Sequence, residues 1–213
     1  MRTPWTRGAL RALLPLLLCL LPTGCGEGFH NQPLQRAEVR GRVVGADPAL
    51  TTVTVLVDDD GTEDDAGVSG DDGEALLTTG VDAEGRFVLR DVPATRITLY
   101  VVGSPGRAAY LTVDVPGAQV TDVGDVLLQD AASITVRVTD QAGGLVPGAE
   151  AEVDETPFER KAVDATGSAS FGPLPPGCYR VRARADHYEE AEVSACVATG
   201  QALQLGLTLR YNP

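Results

Sequence analysis

Two cysteines, Cys178 and Cys196, have a spacing that implies covalent chemistry. If the segments 177–185 and 188–197 form a hairpin centred on His187, one register opposes Cys178 to Cys196, Arg180 to Ser194, Arg182 to Glu192 and Arg184 to Glu190. The same register leaves Tyr179, Val181, Val193 and Ala195 together on the opposite face. Directly opposed residues of antiparallel strands lie within disulfide reach. A structural disulfide is therefore expected, with free thiols as the alternative.

A second group is the acidic, glycine-rich stretch between Asp58 and Glu74. Asp58, Asp60, Glu63, Asp64, Asp65, Asp71, Asp72 and Glu74 could supply the six to eight oxygens that calcium takes. The EF-hand spacing fails: with Gly61 as the turn glycine the first ligand position is Leu56, and with Gly73 it is Val68. A solvated insertion held open by its own repulsion is the preferred reading and weak calcium binding the alternative. No other cofactor is expected.

Catalysis has little to work with. The two histidines are His30, near the N-terminus, and His187, at the expected hairpin tip, and neither stands in a recognisable pattern with a nucleophile. Phosphate-loop, zinc-ligand and nucleophile-elbow spacings do not occur. The chain is read as a non-enzyme.

The N-terminus carries an address. Arg2, Arg7 and Arg11 precede the apolar run 12–21, which ends at Leu21-Pro22-Thr23-Gly24-Cys25, the layout of an export signal. A membrane-spanning helix needs about 20 apolar residues, and this run is about half that. Thr23-Gly24-Cys25 resembles the lipobox of bacterial lipoproteins. That resemblance implies that residues 1–24 are removed, that Cys25 becomes a lipidated N-terminus, and that residues 25–36 tether the fold to the membrane. Secretion without lipid is the alternative. Gly26 in place of the Asp that resembles an inner-membrane retention signal points to the outer membrane. Loss of residues 1–24 takes the formal charge from −13 to −16, which disfavours nucleic acid and anionic lipid as partners.

The elements that must position these groups read as all-β. Aromatics are 5% of residues, so Val, Leu, Ile and Ala must build the core, and 24 Gly and 14 Pro suit short strands joined by many turns. Period-two alternation recurs, with strands expected near 38–45, 51–57, 75–81, 85–90, 95–102, 108–115 and 120–129. A second set is expected near 132–139, 148–153, 159–164, 168–172, 177–185, 188–197 and 201–210. Two tandem sandwich domains follow, 37–129 and 131–213, each with seven strands.

The halves also match internally. Asp82-x-x-Gly85 followed by Phe87, Asp91-Val-Pro93 and Tyr100 parallels Asp164-x-x-Gly167 followed by Phe171, Pro173 to Gly177 and Tyr179. On these residues both halves resemble carboxypeptidase regulatory-like domains, transthyretin-like sandwiches that are also similar to B-type repeats of pilins and adhesins. The resemblance implies an Ig-like fold and a passive module. Some adhesin relatives carry a Lys to Asn isopeptide bond; here the one lysine, Lys161, is mid-domain, and no crosslink is expected.

The functional expectation is a lipid-anchored envelope protein acting as a spacer or protein-interaction module. The alternative is a module binding surface polysaccharide or peptidoglycan fragments, assisted by calcium at the acidic stretch. Tyr100, Tyr110, Tyr188 and Tyr211 are the aromatic side chains that could face such a glycan.

Overall fold

The structure is a computed structural model that describes residues 36–57, 75–104, 106–117 and 119–212. Cys25 and the acidic candidates Asp58 to Glu74 lie outside these residues. All described regular structure is β apart from one 3-10 turn at Pro48–Leu50, which Asp47 caps by accepting from the Ala49 N–H at 3.0 Å.

The first half contributes β1 (Arg36–Val44), β2 (Thr52–Val57), β3 (Ala75–Gly80), β4 (Arg86–Pro93), β5 (Arg96–Gly103), β6 (Arg107–Asp114), β7 (Val120–Leu127) and β8 (Gln129–Asp130). One sheet runs β4-β1-β7 and the other β3-β2-β5-β6-β8. Between them lies a core of Val39, Val43, Val53, Val55, Phe87, Leu89, Ile97, Leu99, Val101 and Val126.

The second half repeats the plan with β9 (Ala132–Asp140), β10 (Glu150–Val153), β11 (Lys161–Ala162), β12 (Ser168–Leu174), β13 (Gly177–Arg184), β14 (Tyr188–Glu189), β15 (Ala191–Val197) and β16 (Ala202–Tyr211). Its sheets run β12-β9-β16-β14 and β11-β10-β13-β15. Its core includes Ile134, Val136, Val138, Phe171, Leu174, Val181, Leu207 and Leu209. In each half a central strand pairs antiparallel with one neighbour and parallel with the last long strand: β1 with β4 and β7, β9 with β12 and β16.

The matched turns are built alike. The Asp82 carboxylate accepts from the N–H of Glu84 and Arg86 at 3.0 and 2.8 Å, and the Gly85 N–H returns to the Asp82 carbonyl at 2.9 Å. Asp164 accepts from the N–H of Thr166 and Ser168 at 2.8 and 3.0 Å, with Gly167 returning to its carbonyl at 2.9 Å. Gly85 and Gly167 both sit at positive φ, +80° and +76°, and a side chain on either would meet the carbonyl of the neighbouring strand, Val43 or Val138. Glycine is required there by both conformation and space. The Thr166 hydroxyl, then the backbone N–H groups of Ser168 and Thr166, hold the Asp164 carboxyl below its ordinary value.

Two expected strands divide where the chain crosses between sheets. The segment expected as 120–129 pairs with β1 through β7, then joins β6 through β8. The segment expected as 188–197 pairs first with the C-terminal end of β16 through β14, then with β13 through β15. An edge segment can serve both sheets in succession, and local alternation does not reveal the crossing. The segment expected as 159–164 shrinks to Lys161–Ala162.

With so few aromatics, each buried Phe fills a large share of its core. Phe171 is 1% exposed and sits among aliphatics. Phe171→Ala is expected to cost about 3–5 kcal/mol, measured as a loss of unfolding free energy in urea; a change under about 1 kcal/mol would mean that the core collapses around the gap.

Candidate functional site

The hairpin carrying the two thiols forms in the expected register. Cys178 opposes Cys196, Arg180 opposes Ser194 and Arg182 opposes Glu192, while Tyr179, Val181 and Ala195 turn to the core. Cys178 and Cys196 are joined in a disulfide, with Cα atoms 3.9 Å apart, on the exposed face. Arg184 does not meet Glu190, because the ladder ends at Ala183 opposite Ala191 and the chain turns away to β14.

The arginines on this face take partners mainly from β10, on the other side of β13. Arg184 pairs with Glu150 at 3.2 Å, and Arg182 with Glu152 at 3.1 Å and Asp154 at 3.0 Å. Arg160 reaches the same Glu152 at 2.7 Å. Glu192, opposite Arg182 in register, is engaged by Arg180 at 3.6 Å. The acidic side chains alternate along β10 as the arginines do along β13, so period two aligns them in a row. Glu152, Asp154 and Arg182 are largely shielded from water, so removing one of them would leave a charge without its partner away from solvent.

The other concentration of distinctive side chains lies where the two halves meet. Tyr100 and Tyr110 oppose one another on β5 and β6, rings 5.4 Å apart, on the face of their sheet turned away from its own core. Tyr100 is nevertheless 4% exposed. Its ring packs edge-on against Phe158 at 6.1 Å, and its hydroxyl donates to the Pro173 carbonyl. Tyr110 packs against Tyr179 at 6.1 Å and donates to the Glu155 carbonyl at 3.2 Å. Burial first, and the neighbouring Tyr179 second, push both hydroxyls above the ordinary phenol value. Both phenols stay protonated and able to donate at neutral pH.

The covalent connection is equally constrained. Gln129 and Asp130 are laddered to β6, Ala131 donates to the Gly106 carbonyl at 2.7 Å, and β9 begins at Ala132. From the second half, Gly200 donates to the Asp130 carbonyl at 3.0 Å. Arg107 donates to the Leu128 carbonyl where the chain crosses between sheets.

Two of the four tyrosines considered as a glycan platform are therefore engaged at this junction. Tyr188 and Tyr211 form a separate edge-on pair at 5.5 Å beside His187, with Tyr211 62% exposed. Lys161 donates to the Ser170 carbonyl at 2.7 Å and lies 4.9 Å from the centre of the Phe171 ring. Among the described residues no group of three or more His, Cys, Asp or Glu is arranged to hold a metal. Among them, too, no helix is long and apolar enough to cross a membrane.

The junction was not among the candidates read from sequence, although a signal was present. The segment Leu99-Tyr-Val-Val102 is continuously apolar instead of alternating, the pattern of a strand covered on both faces. Leu56 breaks the alternation of β2 in the same way and is 2% exposed.

Reduction of the disulfide is expected to lower unfolding free energy by about 3 kcal/mol on the loop-closure estimate, read as a shifted melting transition with and without reductant. An unchanged transition would show that the sandwich holds this hairpin without the bond.

Among solved structures, the chain is similar to the TIE protein of Bacillus anthracis at 15% identity and a TM-score of 0.35, covering 82% of this chain and 34% of that one. The chain thus spans about a third of the TIE protein. It is also similar to GBS52, the minor pilin of Streptococcus agalactiae, at 9% identity and a TM-score of 0.41, covering 83% and 97%. A third likeness is to the shaft pilin SpaA of Lactobacillus rhamnosus GG, at 9% identity and a TM-score of 0.34, covering 84% and 98%. Curated protein sequences contain no match. Over its second half the sequence itself matches a family model, that of the carboxypeptidase regulatory-like domain, at residues 133–210.

Proposed function

We propose that the protein is a non-catalytic, lipid-anchored spacer of the cell envelope, in which two sandwich domains, 37–129 and 131–213, act as one stiff unit presenting an interaction surface away from the membrane. The observation that carries this reading is the junction. Tandem domains on an exposed linker move independently by default. Here the connection is laddered on both sides, and Tyr100 and Tyr110 are held by carbonyls and rings of the second half. A stiff tandem keeps its far end at a fixed distance from its anchor, as a spacer must.

The first half shares the sheet order and the Asp-x-x-Gly turn of the second, which supports reading it as a second domain of the same kind. The alternative of a glycan-binding module has less support, because Tyr100 and Tyr110 are engaged internally.

Stiffness is tested by calorimetry and small-angle scattering on protein recovered from the envelope. One cooperative transition is expected, and the double substitution Tyr100→Ala with Tyr110→Ala should split it in two and enlarge the radius of gyration. Two independent transitions in the unsubstituted protein would overturn the reading.

The anchor rests on the Thr23-Gly24-Cys25 junction, and its test is separate. Mass spectrometry of the membrane fraction is expected to find diacylglyceryl-modified Cys25 at the N-terminus, and Cys25→Ser should abolish membrane retention. An unmodified N-terminus at Gly26 or beyond would mean that the protein is secreted without lipid.

A further inference from the structure

Most strand edges of this protein carry a feature that discourages pairing with another chain. β7 is interrupted by an irregularity around Gly124, at φ +70°, and bears Asp122 and Asp125. β4 bears Arg86, Arg90 and Asp91, and β15 bears Glu192 beside the disulfide. Bulges and charges of this kind are how natural sheets keep their edges from being extended. β3 is uncharged but only six residues long, and it adjoins the acidic stretch 58–74.

β16 is different. It pairs with β9 without a register shift from Ala202 to Leu209, and no residue in that span is charged, in a chain of formal charge −13. Among the described residues, its other side is paired solely at its end, Tyr211 with Tyr188 and Arg210 with Glu189. The Gln201 carbonyl accepts from Ser133 on the β9 side, whereas the Asn212 N–H donates to His187 on the opposite side. By the period of two, Ala202, Gln204, Gly206 and Thr208 turn their N–H and C=O groups away from β9. On the core-facing row, Leu207 and Leu209 are buried, but Leu203 and Leu205 remain partly exposed beside the open edge. A Cβ at Gly206 would meet nothing within 4 Å.

The occupant such an edge fits is extended, uncharged over about seven residues and apolar at alternate positions, since main-chain bonds supply affinity and alternate side chains supply the fit. β16 itself meets that description. The open window, bounded by the 198–201 turn and the β14 cap, runs from 202 to 208 and is centred on Leu205. A second β16 laid antiparallel about that centre would oppose Ala202 to Thr208 and Gln204 to Gly206, which are the residues with outward backbone groups. About eight backbone hydrogen bonds would form. Leu203 would then face Leu207 of the other copy, and Leu205 would face its own counterpart at the two-fold axis, placing all the leucines on the core side. Within the window the outward face brings no like charges together, because β9 and β16 present Ser133, Thr135, Thr139, Gln204 and Thr208 there with Arg137 as the charged side chain, and Arg210 lies beyond the window, opposite Glu189 of β14. A self-complementary patch of this kind defines a closed dimer.

We infer that the free edge of β16 is a dimerisation site, at which a second copy of the chain adds its β16 antiparallel about Leu205 and joins two sheets into one. The inference does not depend on the spacer reading. Its test uses the full chain purified in detergent, with sedimentation to give mass and mild oxidation of single-cysteine substitutions to give register. The unsubstituted protein should sediment at twice the chain mass. Leu205→Cys, self-opposed at the axis, should form a reducible crosslinked dimer, whereas Gln204→Cys, opposed to Gly206, should not exceed the background set by the native cysteines. Gly206→Pro removes an outward N–H that β9 does not use, and should halve the sedimenting mass; Gln204→Lys should do the same by charge repulsion, with an unchanged far-ultraviolet circular dichroism spectrum and a melting temperature that no longer depends on concentration. A monomer at every concentration up to the solubility limit overturns the inference. So does crosslinking of Gln204→Cys equal to that of Leu205→Cys, or a monomer that instead binds an unrelated ten-residue peptide of alternating Leu and Thr.

Discussion

Tyr100 faces away from the core of its own sandwich and is buried all the same, and the organisation of the folded chain depends on that fact. A buried phenol without a partner would be costly, so its hydroxyl must find an acceptor when the second half closes over it. The acceptor is the carbonyl of Pro173, and Tyr110 beside it finds that of Glu155. These are backbone atoms of the second sandwich, one at the irregularity of β12 and the other in the turn that follows β10. Two cores that would otherwise be joined by the three residues 129–131 alone are thereby placed in a defined relation.

Aliphatic cores make this arrangement workable. Val, Leu and Ile fill both sandwiches, and among the tyrosines Tyr100, Tyr110 and Tyr179 gather at the junction with Phe158. Large rings with one polar atom suit a surface that is apolar in area yet has carbonyls at its rim. Phe171 links the two environments, packing in its core and edge-on against Phe158 at 6.4 Å.

Charge is organised by the same period of two that orders the core. On the outer face of the second sandwich, Glu150, Glu152 and Asp154 lie alongside Arg184, Arg182 and Arg160, so several of the few cations are neutralised locally. The opposite outer face, over β9 and β16, is built mainly of hydroxyl and amide side chains. One sandwich thus presents a dense ion-pair face and a nearly uncharged one, and the uncharged one ends in the open edge of β16. In an acidic chain, an edge without charge is where approach of a like molecule costs least.

Much of this was legible in the residues alone. Alternation with Gly and Asp punctuation places most strands, because side-chain period and turn chemistry are local. The repeated Asp-x-x-Gly turn is local as well, since the carboxylate binds N–H groups two and four residues on. The register of the last hairpin was readable because a shift of one residue would expose Tyr179 and Val181. What the sequence could not decide was anything set by a third strand or by the other half. Arg182 opposes Glu192 as expected but bonds to Glu152 and Asp154, since β10 is brought alongside by the sheet and not by the hairpin. Glu190 loses Arg184 because the chain there changes sheets. Tyr100 and Tyr110 look like exposed aromatics until the second sandwich is set against them, for the carbonyls that hold them are more than 40 residues away along the chain. Local pattern determines which face a side chain takes; only the packed tertiary structure determines what that face meets.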